Sequence, residues 1–432
     1  MRWLVESIAL TSGLVVSATA AAVLAPAAVA APPEDFLPNP AVGPGGSRYK
    51  DYPHFRVYNA QSDTVADNCV RPLEAAYQCF VVDLHWRSPG LSYHSESEDG
   101  PYYKLNVYRT DTPGTGAAAT TGLDTRAGLS FLNIGTAYMT EPGVTVHEFG
   151  HALTYAAHWW IDQTRTGAWW ETIAQWVADT YLTDPVCDPA RRRANLAPGN
   201  TLFVPRKVIG DSYLPIVDGS RGTGNYYEAW PFFTFLVHNP DNYPGMGAAI
   251  FPNIWTKYMR NSNETPLHVL ERLAAPSTRI QAIVGRYWAR MAYVDLAHPK
   301  MQAAFEAQRR NINYANLDPA GPSGTYRVKP ARAPRYMGAN IIPLRVTGGV
   351  VNVTVTASSA FTATLAVKAA SGGVRYVDLP NGVGGAAVAG GEEVSLVVAN
   401  TPDQLLMFDP FQLSAEATRG LNYQVRLTGA TA

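Results

Sequence analysis

Two histidines four residues apart, with a glutamate directly after the first, constrain this chain more than any other feature: His147-Glu148-Phe149-Gly150-His151. Residues at i and i+4 of a helix share one face about a turn apart, so both imidazoles can reach a single point. Their neighbours are apolar (Val144, Val146, Leu153), and an incidental core helix would leave two histidines and a carboxylate without a purpose there. With only nine histidines in 432 residues, coincidence in this register is a poor explanation. The spacing matches a zinc hydrolase, in which His147 and His151 hold the ion and Glu148 reaches a water beside it without ligating.

A catalytic zinc keeps three protein ligands and one open position. His158 follows His151 by seven residues, roughly 10 Å along a helix axis, and cannot share the ion unless the helix breaks. A metzincin would carry Gly and His three and six residues after His151, where Thr154 and Ala157 stand. Glu171 fits better. It lies in a helical pattern, Trp169 to Asp179, ended by Pro185, and a turn around residues 162–167 would return that helix antiparallel to the first.

On these residues the chain resembles the gluzincins, the thermolysin-like clan of zinc peptidases. Their pattern is HExxH, a loop, then Glu-x-x-Ala on a second helix, matched here by Glu171 and Ala174 at similar spacing. The resemblance covers about residues 128–290. It implies a zincin-like fold, a Zn2+ held by His147, His151 and Glu171, and peptide-bond hydrolysis with Glu148 as general base. Thermolysin-like enzymes orient the first histidine with an aspartate four residues after the ligand glutamate. Gln175 stands there, and Asp179 lies one turn on; both are candidates for that supporting role. The chain is also similar to secreted fungal and bacterial HExxH proteins of unassigned function that share a segment like Tyr226-Tyr227-Glu228-Ala229-Trp230-Pro231-Phe232-Phe233. Because such peptidases usually polarise the scissile carbonyl with a tyrosine or histidine, Tyr226 and Tyr227 are the catalytic candidates, with His238 third. The bland alternative is that both tyrosines head an apolar helix as core residues. By the same resemblance, Gly128–Asn133 would be the edge strand that pairs with an extended substrate.

The fold class expected is α+β: a mainly helical zincin-like domain with a small sheet, then an all-β sandwich. Arg2, an apolar stretch from Leu14 to Leu24 and the small-x-small triplet Ala28-Val29-Ala30 read as a signal peptide over residues 1–30, hence secretion. Residues 31 to about 55 read as an irregular lead-in, 63–85 as a helix, and 102–108 and 128–134 as strands, with helical patterns from Val144 to about Asn311. After Pro319 the chain turns to short Val/Thr-rich runs separated by glycine pairs, which sets domains at 31–322 and 323–432 and implies that a fragment ending near Gly324 folds alone.

No segment after the signal reaches the ~20 apolar residues of a membrane span, so stable membrane insertion is not expected. The net charge is -1, and the basic run Arg191–Arg193 is too short for nucleic acid. The partner expected is a peptide or protein substrate, glycoproteins included, with polymer or glycan contact through the C-terminal domain. The rival reading is a secreted surface or glycan-binding protein on a zincin scaffold; a third is zinc hydrolysis of a non-peptide bond. Three cysteines in an exported chain imply one bridge and one free thiol. Cys69 and Cys79 are roughly 15 Å apart if one helix holds both, which would require Cys187 as a partner; a helix starting at Pro72 would instead let Cys69 fold back.

Overall fold

The structure, a computed structural model, describes residues 33, 35–114, 116–161 and 163–432; the expected signal peptide lies outside the described residues. The fold is α+β, with three five-stranded sheets and a set of helices between the first sheet and the other two in chain order.

The first sheet runs β1 (Tyr49–Asp51), β2 (Phe55–Tyr58), β3 (Leu105–Thr110), β5 (Leu129–Gly135), β4 (Ala119–Asp124) in spatial order. β2, β3 and β5 are parallel, while β1 and β4 are antiparallel on either side. The strand expected at 102–108 begins at Leu105 instead, and β1 falls inside the stretch read as an irregular lead-in. A further correction bears on the site. The strand over 128–134 exists as β5, but β3 and β4 flank it, so the edge belongs to β4. β4 is built from Ala119-Thr-Thr-Gly-Leu-Asp124, whose Ala and Gly carry little strand propensity; pairing with β5 supplies what local preference does not.

α1 (Asp63–Tyr77) crosses between the parallel strands β2 and β3, with Ser62 Oγ capping it by accepting from the Val65 N–H at 3.3 Å. It continues into a π-helical turn, Gln78–Asp83, that carries Cys79. Cys79 bonds Cys187, with a Cα–Cα distance of 5.2 Å, and Cys69 is free and buried. The bridge pins the end of α1 beside the segment following the second site helix. By the chain-entropy account, a bridge across 108 residues restricts the unfolded chain by about 4–5 kcal/mol. Burial pushes the Cys69 thiol up to about 12, so it is a packed core group and a poor nucleophile.

α2 (Pro142–Ala156) carries the histidine pair and packs on β4 and β5. Pro142 at its first turn pre-sets the helical φ and lacks only an N–H that would have been orphaned there. α3 (Gly167–Thr183) carries Glu171 and lies along α2. Their crossing is close for a specific reason. A Cβ on Gly150 would stand 2.8 Å from the Ala174 backbone and 3.1 Å from the Val177 side chain. The glycine inside HExxH and the alanine of Glu-x-x-Ala are thus the two small residues that let the helices approach.

The C-terminal strands form two antiparallel sheets. One holds β11 (Val374–Asp378), β10 (Thr362–Lys368), β13 (Glu393–Ala399), β8 (Ala339–Val346) and β15 (Ala430–Thr431). The other holds β12 (Val383–Ala387), β9 (Val350–Ala357), β14 (Tyr423–Thr428), β7 (Thr325–Val328) and β6 (Leu317–Pro319). Val351, Val353, Val355, Val425 and Leu427 from the second meet Ile342, Leu365, Leu396 and Val398 from the first in one apolar core. The sheet that contains β8, β10 and β13 is buried on its other face as well: Ile341, Ala366, Val397 and Ala399 join the core of the helical part.

The expected boundary at residue 323 falls within a stretch of continuous packing. Residues Pro32–Ala432 form one compact unit, and the helix Ile280–Met291 packs on β8, β10 and β13. Among the described residues, no helix is long and apolar enough to cross a membrane.

Candidate metal centre

The α2–α3 crossing brings three donors together. His147, His151 and Glu171 each offer an atom, and these atoms all lie within 4.8 Å of one another. Glu171 Oε2 is 3.1 Å from His147 Nε2 and 3.2 Å from His151 Nε2. The two imidazole rings stand 4.9 Å apart at 79°, as i and i+4 residues on one helix face should. Both histidines are buried and Glu171 is partly so.

Burial alone would raise the Glu171 carboxyl, but its contacts with His147 and His151 overcome this and hold it far below the usual carboxylate range. It is therefore an anion at neutral pH, which a ligand carboxylate must be. Two imidazole nitrogens and a carboxylate oxygen are a donor set suited to a divalent transition metal.

The supporting contacts separate the two candidates for that role. Gln175 Oε1 lies 3.0 Å from His147 Nδ1. An amide oxygen only accepts, so Nδ1 carries the hydrogen and Nε2 is left to bind. Asp179, expected as the alternative, turns elsewhere. Its Oδ1 accepts from Thr201 Oγ1 at 2.7 Å and from the Leu202 N–H at 2.6 Å, and its Oδ2 from Thr183 Oγ1 at 2.9 Å. Two turns of α3 from Glu171, it cannot reach the donor set and fastens residues 201–202 instead.

Glu148 sits beside the cluster, buried, and outside the donor set. Thr121 on β4 donates its hydroxyl to Glu148 Oε2 at 2.6 Å, with the Glu148 carbonyl 2.9 Å away. Sequence reasoning missed Thr121; its strand was not foreseen, and no local motif marks it. Beside these groups opens a cavity of about 660 Å3, lined by Ala117–Ala119 at the β4 edge, Tyr138, Val144, His147, Glu148, Gln175, Leu202 and Tyr227.

The tyrosine pair occupies the short helix Asn225–Glu228, which is bolted to α3 by Thr172 Oγ1 donating to the Tyr226 carbonyl at 2.7 Å. Only Tyr227 lines the cavity, its ring 5.9 Å from that of His147. Burial, and next the facing Glu171 carboxylate, push its phenol well above the usual range, so it stays a hydroxyl donor. Tyr226 stands behind it, half-buried, at 4.5 Å between rings. His238 is not at the site: its Nε2 meets Asp184 Oδ2 at 2.7 Å and its Nδ1 the Leu296 carbonyl at 2.8 Å. His158, two residues past the end of α2, has a left-handed φ of 48° and takes no part in the cluster.

Glu171→Gln tests the donor set directly. The neutral amide is a weak ligand, so metal content by mass spectrometry should fall well below one ion per chain while far-ultraviolet dichroism is kept. Full metal retention would remove Glu171 from the site.

A family profile described as "Family of unknown function (DUF6055)" matches residues 49–186 and 223–377. The matched segments include α2, α3 and both tyrosines. No curated protein and no solved structure matches the chain.

Proposed function

The chain belongs to DUF6055, a family of unknown function, and from its site geometry we propose that it is a secreted zinc metallopeptidase. The observation that carries the reading is the pairing of a convergent His147–His151–Glu171 donor set with an unligated, hydrogen-bonded Glu148 beside it. Support for a zincin-like fold comes from α2 and α3 crossing beneath a mixed sheet whose antiparallel edge strand, β4, borders the cavity. The two C-terminal sheets with their shared core support a β-sandwich. The Cys79–Cys187 bridge fits an oxidising compartment, in keeping with the signal-peptide reading of residues 1–30.

A zinc ion bound there would lower the pKa of a water toward neutrality and polarise a substrate carbonyl. The chain's own residues do the rest. Glu148, with Oε2 held by Thr121, takes the proton from the attacking water and passes it to the leaving amine. Gln175 keeps His147 in the ligating tautomer. Tyr227, lining the cavity beside His147, would offer its phenol hydroxyl to the negative charge that develops on the carbonyl oxygen. The free edge of β4 offers main-chain hydrogen bonds to an extended peptide lying across the cavity.

The purified chain should carry close to one zinc and cleave members of a diverse peptide library, with activity lost on chelation and restored by zinc. A metal-free chain, or a zinc-loaded one that leaves every peptide intact, overturns the reading.

A further inference from the structure

Behind Tyr226 and beyond the residues that line the cavity stands an aromatic ring of the C-terminal part, in contact with that tyrosine. The segment after β13 runs back over the helical part and is anchored there. Phe408 is buried in the main core with its ring 5.1 Å from Tyr336, and the Leu406 N–H donates to the Tyr336 hydroxyl at 3.0 Å. The Gly219 N–H donates to the Pro410 carbonyl at 2.9 Å. Next comes Phe411, whose ring stands in a slot between two glycines. A Cβ on Gly219 would lie 2.5 Å from the ring, and one on Gly167, the first residue of α3, 3.1 Å from it. The slot admits the ring because both walls lack side chains. Even so, Phe411 remains 49% exposed.

A ring left half exposed forgoes much of the stabilisation that full burial would bring. The ring continues an aromatic series that starts at His147. Ring centroids step from His147 to Tyr227 by 5.9 Å, to Tyr226 by 4.5 Å and to Phe411 by 5.8 Å. An extended peptide rises ~3.3 Å per residue, so Phe411 lies within reach of a side chain two to four residues from a bond held at the metal.

We propose that Phe411 is a specificity-determining residue: it forms a subsite for a bulky apolar or aromatic side chain two to four residues from the scissile bond. The inference rests on the peptidase reading of the same site and deepens it. It also gives the C-terminal part a direct role in substrate selection, since the ring that meets the substrate comes from the segment between β13 and β14.

The test is cleavage of a peptide library by the full chain, with the cut sites sequenced. Wild type should show enrichment of Phe, Tyr, Leu or Met at one position two to four residues from the cut. Phe411→Ala should abolish the enrichment and lower kcat/KM roughly tenfold for peptides with a large apolar residue there, mostly through KM. Peptides with alanine at that position should be unaffected, and zinc content should be unchanged. Phe411→Lys provides an independent arm. Its alkyl stem can fill the slot while the ammonium replaces the exposed face, and preference should move toward Asp or Glu, which a purely structural role would not produce. Enrichment that persists in both variants, or a loss equal across all peptides, overturns the inference and leaves the peptidase reading standing. Failure of zinc-loaded wild type to cut any peptide removes both.

Discussion

Glu148→Gln is expected to keep its metal and its melting temperature while losing peptide hydrolysis by ~10²–10⁴-fold. Glu148 is outside the donor set, so replacing one oxygen by an amide does not alter the ligands His147, His151 and Glu171. Glutamine is also nearly isosteric, and its amide oxygen can still accept from Thr121, whose hydroxyl now reaches Glu148 Oε2 at 2.6 Å. What the amide cannot do is take a proton from water and return it to an amine. Peptide affinity, measured on the zinc-loaded variant with an uncleaved peptide, should therefore match wild type. A pure binding scaffold would show no hydrolysis in either protein. Wild-type hydrolysis that survives intact in Glu148→Gln would leave the metal site real and the assigned base wrong.

Thr121→Val separates this role from general disorder at the site. Its effect should be smaller than that of Glu148→Gln and should not touch metal content, because the hydroxyl orients the base without reacting.

The candidate metal centre was legible because its geometry is local. His147, Glu148 and His151 are fixed by one helical turn, and Glu171 by the next helix in sequence, so a short-range pattern carried the three-dimensional arrangement. Gln175 could be read from its offset to Glu171 for the same reason. Asp179 shows the limit of that logic. One more helical turn gave it an equal claim on paper, yet its partners Thr201 and Leu202 come from a segment no periodicity places. The edge strand was misassigned on similar grounds. Leu129–Gly135 is the stronger strand in composition, and such a strand belongs inside a parallel arrangement, leaving the weaker Ala119–Asp124 on the edge. Phe411 lies more than two hundred residues from the histidine pair, and only the assembled core brings it beside Tyr226.

One signal of the C-terminal packing was present in the sequence. Val351–Thr356 alternates apolar and polar residues, as a strand with one wet face does, and β9 is buried at every second position. Val394-Ser-Leu-Val-Val-Ala399 does not alternate, and all six residues are buried. A run of that kind marks a strand covered on both faces, so something other than the partner sheet must lie on β13. That something is the helix Ile280–Met291.

A fragment ending at Gly324 is accordingly expected not to fold. It would strip Tyr336, Met337, Ile341, Val397 and Phe408 from the main core. At about 1.5–3 kcal/mol for each large apolar side chain, the loss is of the order of the entire stability of a typical domain, about 5–15 kcal/mol. The helix Ile280–Met291 would lose its cover. Gly285, whose Cβ would stand 2.3 Å from Thr362 Oγ1, marks how closely β10 approaches it, and Trp288 Nε1 would lose the Met337 carbonyl it donates to at 2.8 Å. The Cys79–Cys187 bridge remains in the fragment but restricts only the unfolded chain and restores no packing. Expressed alone, residues 33–324 should be insoluble, or soluble without a cooperative melt and with little bound zinc, whereas the chain through residue 432 should melt in a single transition. A soluble fragment that melts cooperatively and binds zinc stoichiometrically would show that the β-rich part is dispensable for the fold. In that event the same fragment, lacking Phe411, becomes a second measure of substrate selection: it should cleave peptides with no preference for apolar residues distant from the cut.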